Sequence, residues 1–317
     1  MKRCLYCYQP LNEEGPEFHG YCSGKIFGTA LPPELPYNED QMLNLAEEVI
    51  KSQTSVTGAQ PKLSLHLEKL TKKDEPQRFT IAGLWGGYIL KPPAKRYPFL
   101  PELEDLTMHL AEISGIDVVP HSLIGLSSGQ LSYITKRIDR TGTTKIHMED
   151  MCQLTERLTE HKYKGSHEQI GKAIVRYSAT PGLDLINFFE QVLFSFLTGN
   201  ADMHLKNFSL VDIPDMGYIL SPAYDMVAST LVVEGDDEEL ALTLNGKKKN
   251  LRKKDFIEAI NRFNIDHKAI ENIFNKMLVS MNKWHDFIDI SFLPVEMKTS
   301  YHDLIRERAE RIYGNSL

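Results

Sequence analysis

The chain has 317 residues, 42% apolar and 25% charged, a globular composition with length enough for one large core or two lobes. A formal net charge of −7 gives no overall field favouring nucleic acid. The most apolar stretch, Leu183–Leu197, is broken by Asp184, Asn187, Glu190 and Gln191, so it reads as a buried helix and not a bilayer span. No apolar run of the signal-peptide kind follows Met-Lys-Arg-Cys, so a cytoplasmic location without membrane partners is expected.

Residues 1–36 read as a compact cap ending in a proline-rich turn. Cys4, Cys7, His19 and Cys22 stand there as Cys-x2-Cys-x11-His-x2-Cys. Thiolates and imidazole in two tight pairs suit a structural tetrahedral Zn²⁺. Three reduced cysteines beside a surface histidine fit the same spacing.

Asn38 opens a helix, with Gln41 three residues on to complete a capping box, and Met42, Leu45, Ala46, Val49 and Ile50 follow at helical spacing. Thr54–Lys62 is a loop of small residues whose backbone amides could approach phosphates, although Gly58 is its one glycine and a plain turn fits as well. Strands are expected at 63–67, 78–81 and 88–91. Lys91 ends the last of them, either reaching solvent or neutralising phosphate. A helix over 103–113 carries Glu104, which could pair with Lys91, but Glu102 and Asp105 compete for that role. Ser132–Asp139 is another strand candidate, containing Lys136, Arg137 and Ile138, whose backbone could bind an adenine. Residues 37–141 thus form a strand-rich part.

From 142 to 317 helices dominate, expected at 149–158, 168–177, 183–197, 255–263, 268–283 and 297–312. A short strand pair falls at 208–211 and 218–220. Asn245-Gly246 predicts a hairpin with a type I′ turn after Leu240–Leu244. The run Lys247–Lys254 carries six positive charges, which suit a solvated hairpin edge, nucleic acid or an acidic partner, with Asp236–Glu239 nearby to offset them in part.

The most informative stretch is Thr198–Ser209. Asp202 and Asn207 are spaced Asp-x4-Asn, with His204 and Lys206 between them, and Asp225 follows 18 residues after Asn207 in Tyr224-Asp225. Phosphoryl transfer from ATP needs one carboxylate to receive the hydroxyl proton, and an amide and a second carboxylate to hold Mg²⁺.

Taken together, Ser55–Lys62, Tyr88–Pro92, Glu104–Ala111, Arg137–Arg140, Met148–Gln153, Gly199–Ser209, Tyr224-Asp225 and Asn245–Lys247 resemble, in order, the HipA family of toxin Ser/Thr kinases. The resemblance implies an α+β, bilobal protein-kinase-like fold, with a strand-rich N-lobe, a helical C-lobe and ATP between them. It makes Asp202 the proton acceptor, Asn207 and Asp225 the Mg²⁺ ligands, and Lys91, supported by Glu104, the phosphate contact. Around the nucleotide it places Ser55, Thr57, Gly58, Ala59, Gln60, Lys62, Lys136, Arg137, Ile138, Gln153, His204, Lys206 and Tyr224. Pro61, Lys136 and Leu103 depart from the family pattern. The chain is similar to the shortened HipT-type toxins, which lack an N-terminal subdomain. The implied partners are an aminoacyl-tRNA synthetase as substrate and antitoxins of the HipB and HipS type, with DNA reached only through an antitoxin. Ser55 matches a position of family autophosphorylation, and Thr57 offers a second hydroxyl. A small-molecule kinase of the same fold and a metal-capped nucleic-acid or protein binding module are the competing readings.

Overall fold

The computed structural model describes residues 2–42, 44–45, 62–68, 76–82, 86–142, 144–233, 235 and 237–314. Two compact units emerge. The first comprises Met1–Asp105, Val119–Thr144 and Ile290–Phe292; the second Leu106–Val118, Lys145–Asp289 and Leu293–Leu317.

The first unit is built on an antiparallel sheet of β1 (Leu63–Leu67), β2 (Phe79–Ile81), β3 (Tyr88–Lys91), β4 (His121–Gly125) and β5 (Leu131–Lys136), in the order β2-β1-β3-β5-β4. Register sets Leu63 opposite Leu90 and Leu90 opposite Ile134. Side chains alternate between faces, so Leu63, Leu65, Tyr88 and Leu90 share one face while Lys91 and Tyr133 share the other. The cap covers the first face. Phe27, on a helix over Gly20–Phe27, meets Phe79 and Tyr88, and the Tyr88 hydroxyl donates to the Ile26 carbonyl at 3.0 Å. That helix has no counterpart in the sequence reading. The cap also runs along β4, whose Leu123 N–H donates to the Leu5 carbonyl at 3.3 Å, so an edge strand is covered. Asn38 and Gln41 exchange both capping-box hydrogen bonds, as their spacing predicts. The strand expected at 132–139 ends at Lys136. The two-residue strands β6 (Arg140–Thr141) and β7 (Thr144–Lys145) follow it in the chain.

In the second unit, β8 (Met148–Asp150), β9 (Ser209–Ile213) and β10 (Gly217–Leu220) form an antiparallel sheet in the order β10-β9-β8. The expected helix over 149–158 is wrong. Glu149 and Asp150 pair with β9, the helix occupies Met151–Leu154 alone, and Glu156 leaves it at φ 54°. Helices over His167–Tyr177, Pro181–Leu197, Lys253–Asn261, His267–Asp289 and Val295–Tyr313 make the rest. The helix over Pro181–Leu197 is the core of this unit, with Phe188, Phe189, Phe194 and Phe196 fully buried. Two of its acidic residues find partners on other elements. Asp184 accepts from the Leu220 N–H at 2.8 Å, and Glu190 pairs with Lys276 at 2.6 Å. No helix among the described residues is long and apolar enough to cross a membrane.

Asn245 and Gly246 both have positive φ, and Leu244 and Lys247 exchange backbone hydrogen bonds, which is the predicted turn. Long strands do not flank it; the pairing is an isolated bridge. Three of the six charges of the basic run are paired, Lys247 on Asp255, Lys248 on Glu238 and Lys249 on Asp237.

Candidate active site

In the first unit, β3 delivers Lys91 to the face shared with Tyr133. Its ammonium donates to the Glu104 carboxylate, with side chains 5% and 2% exposed, and lies 5.3 Å from the Tyr133 ring centroid. Glu104 sits on the helix over Leu100–Ile113. Its rivals are placed elsewhere. Asp105 accepts from the Tyr8 hydroxyl at 2.8 Å and meets His121 Nδ1 at 2.6 Å. Burial pushes the Glu102 carboxyl up to about 7. A buried ammonium needs a buried partner, and Glu104 supplies it.

Among the adenine candidates, the Lys136 N–H donates to the Pro120 carbonyl and the Arg137 N–H to the Gly87 carbonyl, both at 2.9 Å. The Arg137 side chain grips Asp139 at 2.9 and 2.7 Å. Two of the three amides are thus held within the first unit. Lys62 is exposed. Ser55, Thr57, Gly58, Ala59 and Gln60 lie outside the described residues.

The second unit holds the acids. The loop begins at Gly199, whose φ of 71° favours glycine, and an added Cβ would also displace Leu304 Cδ2, 2.4 Å away. The segment after Asp225 ties it down. The Ala201 N–H donates to Ser229 Oγ at 3.0 Å, and the Thr230 hydroxyl to the Gly199 carbonyl at 2.7 Å. The Tyr224 hydroxyl accepts from Ser209 at 2.5 Å and donates to the Lys206 carbonyl at 3.0 Å. Asn207 is then fixed beside Asp225, its Nδ2 donating to Oδ2 at 3.1 Å. Asp225 itself has φ 60°, an uncommon backbone that such ties sustain. Asn207 Oδ1 is buried and has no hydrogen-bond partner among the described residues. An orphaned acceptor beside a carboxylate is what an oxygen-seeking cation requires, so these residues fit Mg²⁺.

Asp202 is half-buried and accepts from the Tyr163 hydroxyl at 2.6 Å. His204 packs against the Tyr163 ring, centroids 5.0 Å apart at 78°. Lys206 forms an ion pair with Asp150 at 2.6 Å, and Asp150 and Gln153 exchange capping-box bonds. Gln153 therefore reaches the loop through Asp150. The sequence reading missed Tyr163, Asp150, Ser229 and Thr230. Ser229-Thr230 closely follow Asp225 and offer hydroxyls, a usable signal; nothing local marks Tyr163. Cys4, Cys7, His19 and Cys22 are brought together in the first unit, apart from these groups in sequence.

Residues 54–285 match the HipA-like C-terminal domain, and the chain belongs to that family. Y4dM of Sinorhizobium fredii, which carries the name of a kinase with no stated substrate, is 34% identical over 195 residues, covering 58% of this chain and 47% of Y4dM. The serine/threonine-protein kinase toxin HipA of Shewanella oneidensis is 26% identical, covering 62% of this chain and 47% of that protein. The chain spans about half the length of these curated relatives. HipA from that organism, solved with HipB and operator DNA, superposes with a TM-score of 0.69 at 19% identity, over 90% of this chain and 74% of HipA. The fold is the mixed α+β fold of HipA.

Proposed function

We propose that the chain is an ATP- and Mg²⁺-dependent serine/threonine protein kinase and the toxin of a toxin–antitoxin pair. The observation that carries this reading is the buried Asn207, whose Nδ2 donates to Asp225 while its Oδ1 has no hydrogen-bond partner among the described residues, in the loop that bears Asp202. Asn207 and Asp225 would hold the cation, and Lys91 would meet phosphate oxygens. Asp202 would take the proton from the substrate hydroxyl as its oxygen attacks. When bound, MgATP supplies the phosphoryl group and the charge that neutralises it.

By family membership we assign an aminoacyl-tRNA synthetase as the substrate class, with growth inhibition through translation as the result. We also assign HipB- and HipS-type antitoxins, a cytoplasmic location, and DNA contact only through an antitoxin. HipA itself occurs with HipB and operator DNA. A cap over 1–36, an N-lobe over 37–141 and a C-lobe over 142–317 complete the proposal. Autophosphorylation at Ser55 or Thr57 would add about −1.5 to −2 charges and lower activity.

The test is transfer from γ-labelled ATP to protein acceptors, compared with Asp202→Ala. Equal labelling by both forms sinks the reading. Mass spectrometry of both forms tests Ser55 and Thr57, and the regulatory part fails if neither carries phosphate in the active protein.

A further inference from the structure

The kinase reading gives no role to the Cys/His cap. Cys4 and Cys22 are buried, Cys7 and His19 half-buried, and all the cysteines are free thiols. Their three sulfurs and one His19 nitrogen all lie within 4.8 Å of one another. His19 Nδ1 is 3.5 Å from Cys7 Sγ and 3.8 Å from Cys22 Sγ. A tetrahedral zinc with bonds of about 2.3 Å to sulfur and about 2.0 Å to nitrogen sets its ligands roughly 3.5 Å apart along a sulfur–nitrogen edge. The observed spacings match that edge.

A second feature of His19 points the same way. His19 Nε2 lies 3.1 Å from the Pro10 carbonyl. A carbonyl can only accept, so Nε2 carries the hydrogen and Nδ1 turns its lone pair toward the thiols. That is the outer-shell support of a metal-bound imidazole.

We propose that Cys4, Cys7, His19 and Cys22 hold one structural Zn²⁺, and that this ion positions Tyr8 on Asp105. Tyr8 adjoins Cys7 in a left-handed conformation, φ 62°, its N–H donating to the Cys4 carbonyl at 2.9 Å. A bulky residue keeps such a backbone only where its surroundings impose it, and the metal-closed turn does so. The Tyr8 ring is 1% exposed, and its hydroxyl reaches the Asp105 carboxylate that His121 holds from the other side. Asp105 adjoins Glu104, so a change at the ion is felt beside the Lys91 pair.

Metal analysis of the full chain, purified without added metal, should give about one zinc per chain, and Cys7→Ser and Cys22→Ser should give less than about 0.2. Cobalt exchanged into the wild type should show the visible bands of a tetrahedral thiolate site, which keeps the test valid if the serine variants fail to fold. Hydrogen exchange over 100–105 should speed at least about tenfold on chelation, and Tyr8→Phe should match that rise while keeping its zinc. A wild type with less than about 0.2 zinc that takes up no cobalt overturns the site. Full zinc with unchanged exchange after chelation overturns the link to Asp105. Neither readout depends on phosphoryl transfer, so kinase activity can fail without touching this result.

Discussion

Lys91–Glu104 in the first unit is a buried polar pair and Asn207–Asp225 in the second a partly buried one, and they are in opposite electrostatic states. The first is self-neutralising: ammonium against carboxylate, with the Tyr133 ring beside it. The second sets a neutral amide against a carboxylate and leaves Asn207 Oδ1 without a partner among the described residues. Of the two, the second leaves an acceptor that a cation could complete. The two pairs should therefore answer differently to mutation and to metal.

The largest expected effect is on chemistry. Asp202→Ala should lower phosphoryl transfer by about 10²–10⁴-fold, as loss of a general base does, and Asp225→Ala by at least as much. Far-UV circular dichroism should show both variants folded, since each removes a carboxylate without opening an apolar cavity. Activity near wild type in either breaks the assignment of the second pair.

Next comes the first pair. Lys91→Ala strands the Glu104 carboxylate in a buried site and should cost about 3–5 kcal/mol in urea unfolding. Lys91→Met with Glu104→Leu should recover most of that loss, because two apolar groups leave no charge behind. A single variant as stable as wild type would show that the carboxylate finds water.

Titration sharpens the contrast further. Burial among Phe188 and Phe208 pushes His167 in the second unit down to about 3, against an unfolded value near 6.5. Between those values the unfolded chain binds a proton that the folded one refuses. Stability is therefore lost as pH falls below about 6.5, by at most about 1.4 kcal/mol per unit from this group. Glu102 in the first unit behaves oppositely. Its folded value is about 7, so its contribution is present below about 4.5 and is lost as pH rises to 7. Denaturant melts from pH 4 to 8 should lose the acid slope in His167→Leu and the opposite slope in Glu102→Gln. Unchanged slopes would refute these two assignments.

Mg²⁺ at about ten times its dissociation constant should stabilise the wild type by about 1.4 kcal/mol and leave Asp225→Ala unshifted. A shift of equal size in that variant would place the cation elsewhere. Tyr163→Phe, which removes a half-exposed hydroxyl from Asp202, should change turnover less than tenfold, with the loss of one modest hydrogen bond. A larger drop in kcat at unchanged KM would make Tyr163 a positioning residue.

Features written in local chemistry were legible. β3 has the bounds its apolar run predicts, Asn38 and Gln41 cap as spaced, and Asn245-Gly246 turns as positive-φ residues should. The acid loop was legible through spacing and family likeness together. What failed depends on distant partners. Glu149 and Asp150 look helical until β9 pairs with them. β4 and the helix over Gly20–Phe27 went unread because their apolar residues answer to the cap and sheet they meet. The Lys206 ammonium is held by Asp150, a partner that no periodicity reveals. The amides of Lys136 and Arg137 likewise meet Pro120 and Gly87, partners far off in the chain.

The sheet of β8, β9 and β10 has a bearing on how the chain matures. β8 and β9 flank the whole segment containing the helices over His167–Tyr177 and Pro181–Leu197, as well as the Asp202 loop. Joining strands so far apart carries a loop-closure cost that local helices do not. The helices should therefore consolidate first, with the acid loop ordering only when β9 docks on β8. A newly made chain would pass through a compact, helical and inert stage. Pulse-labelled hydrogen exchange should protect amides of 185–197 before those of 209–213, and simultaneous protection would contradict that order.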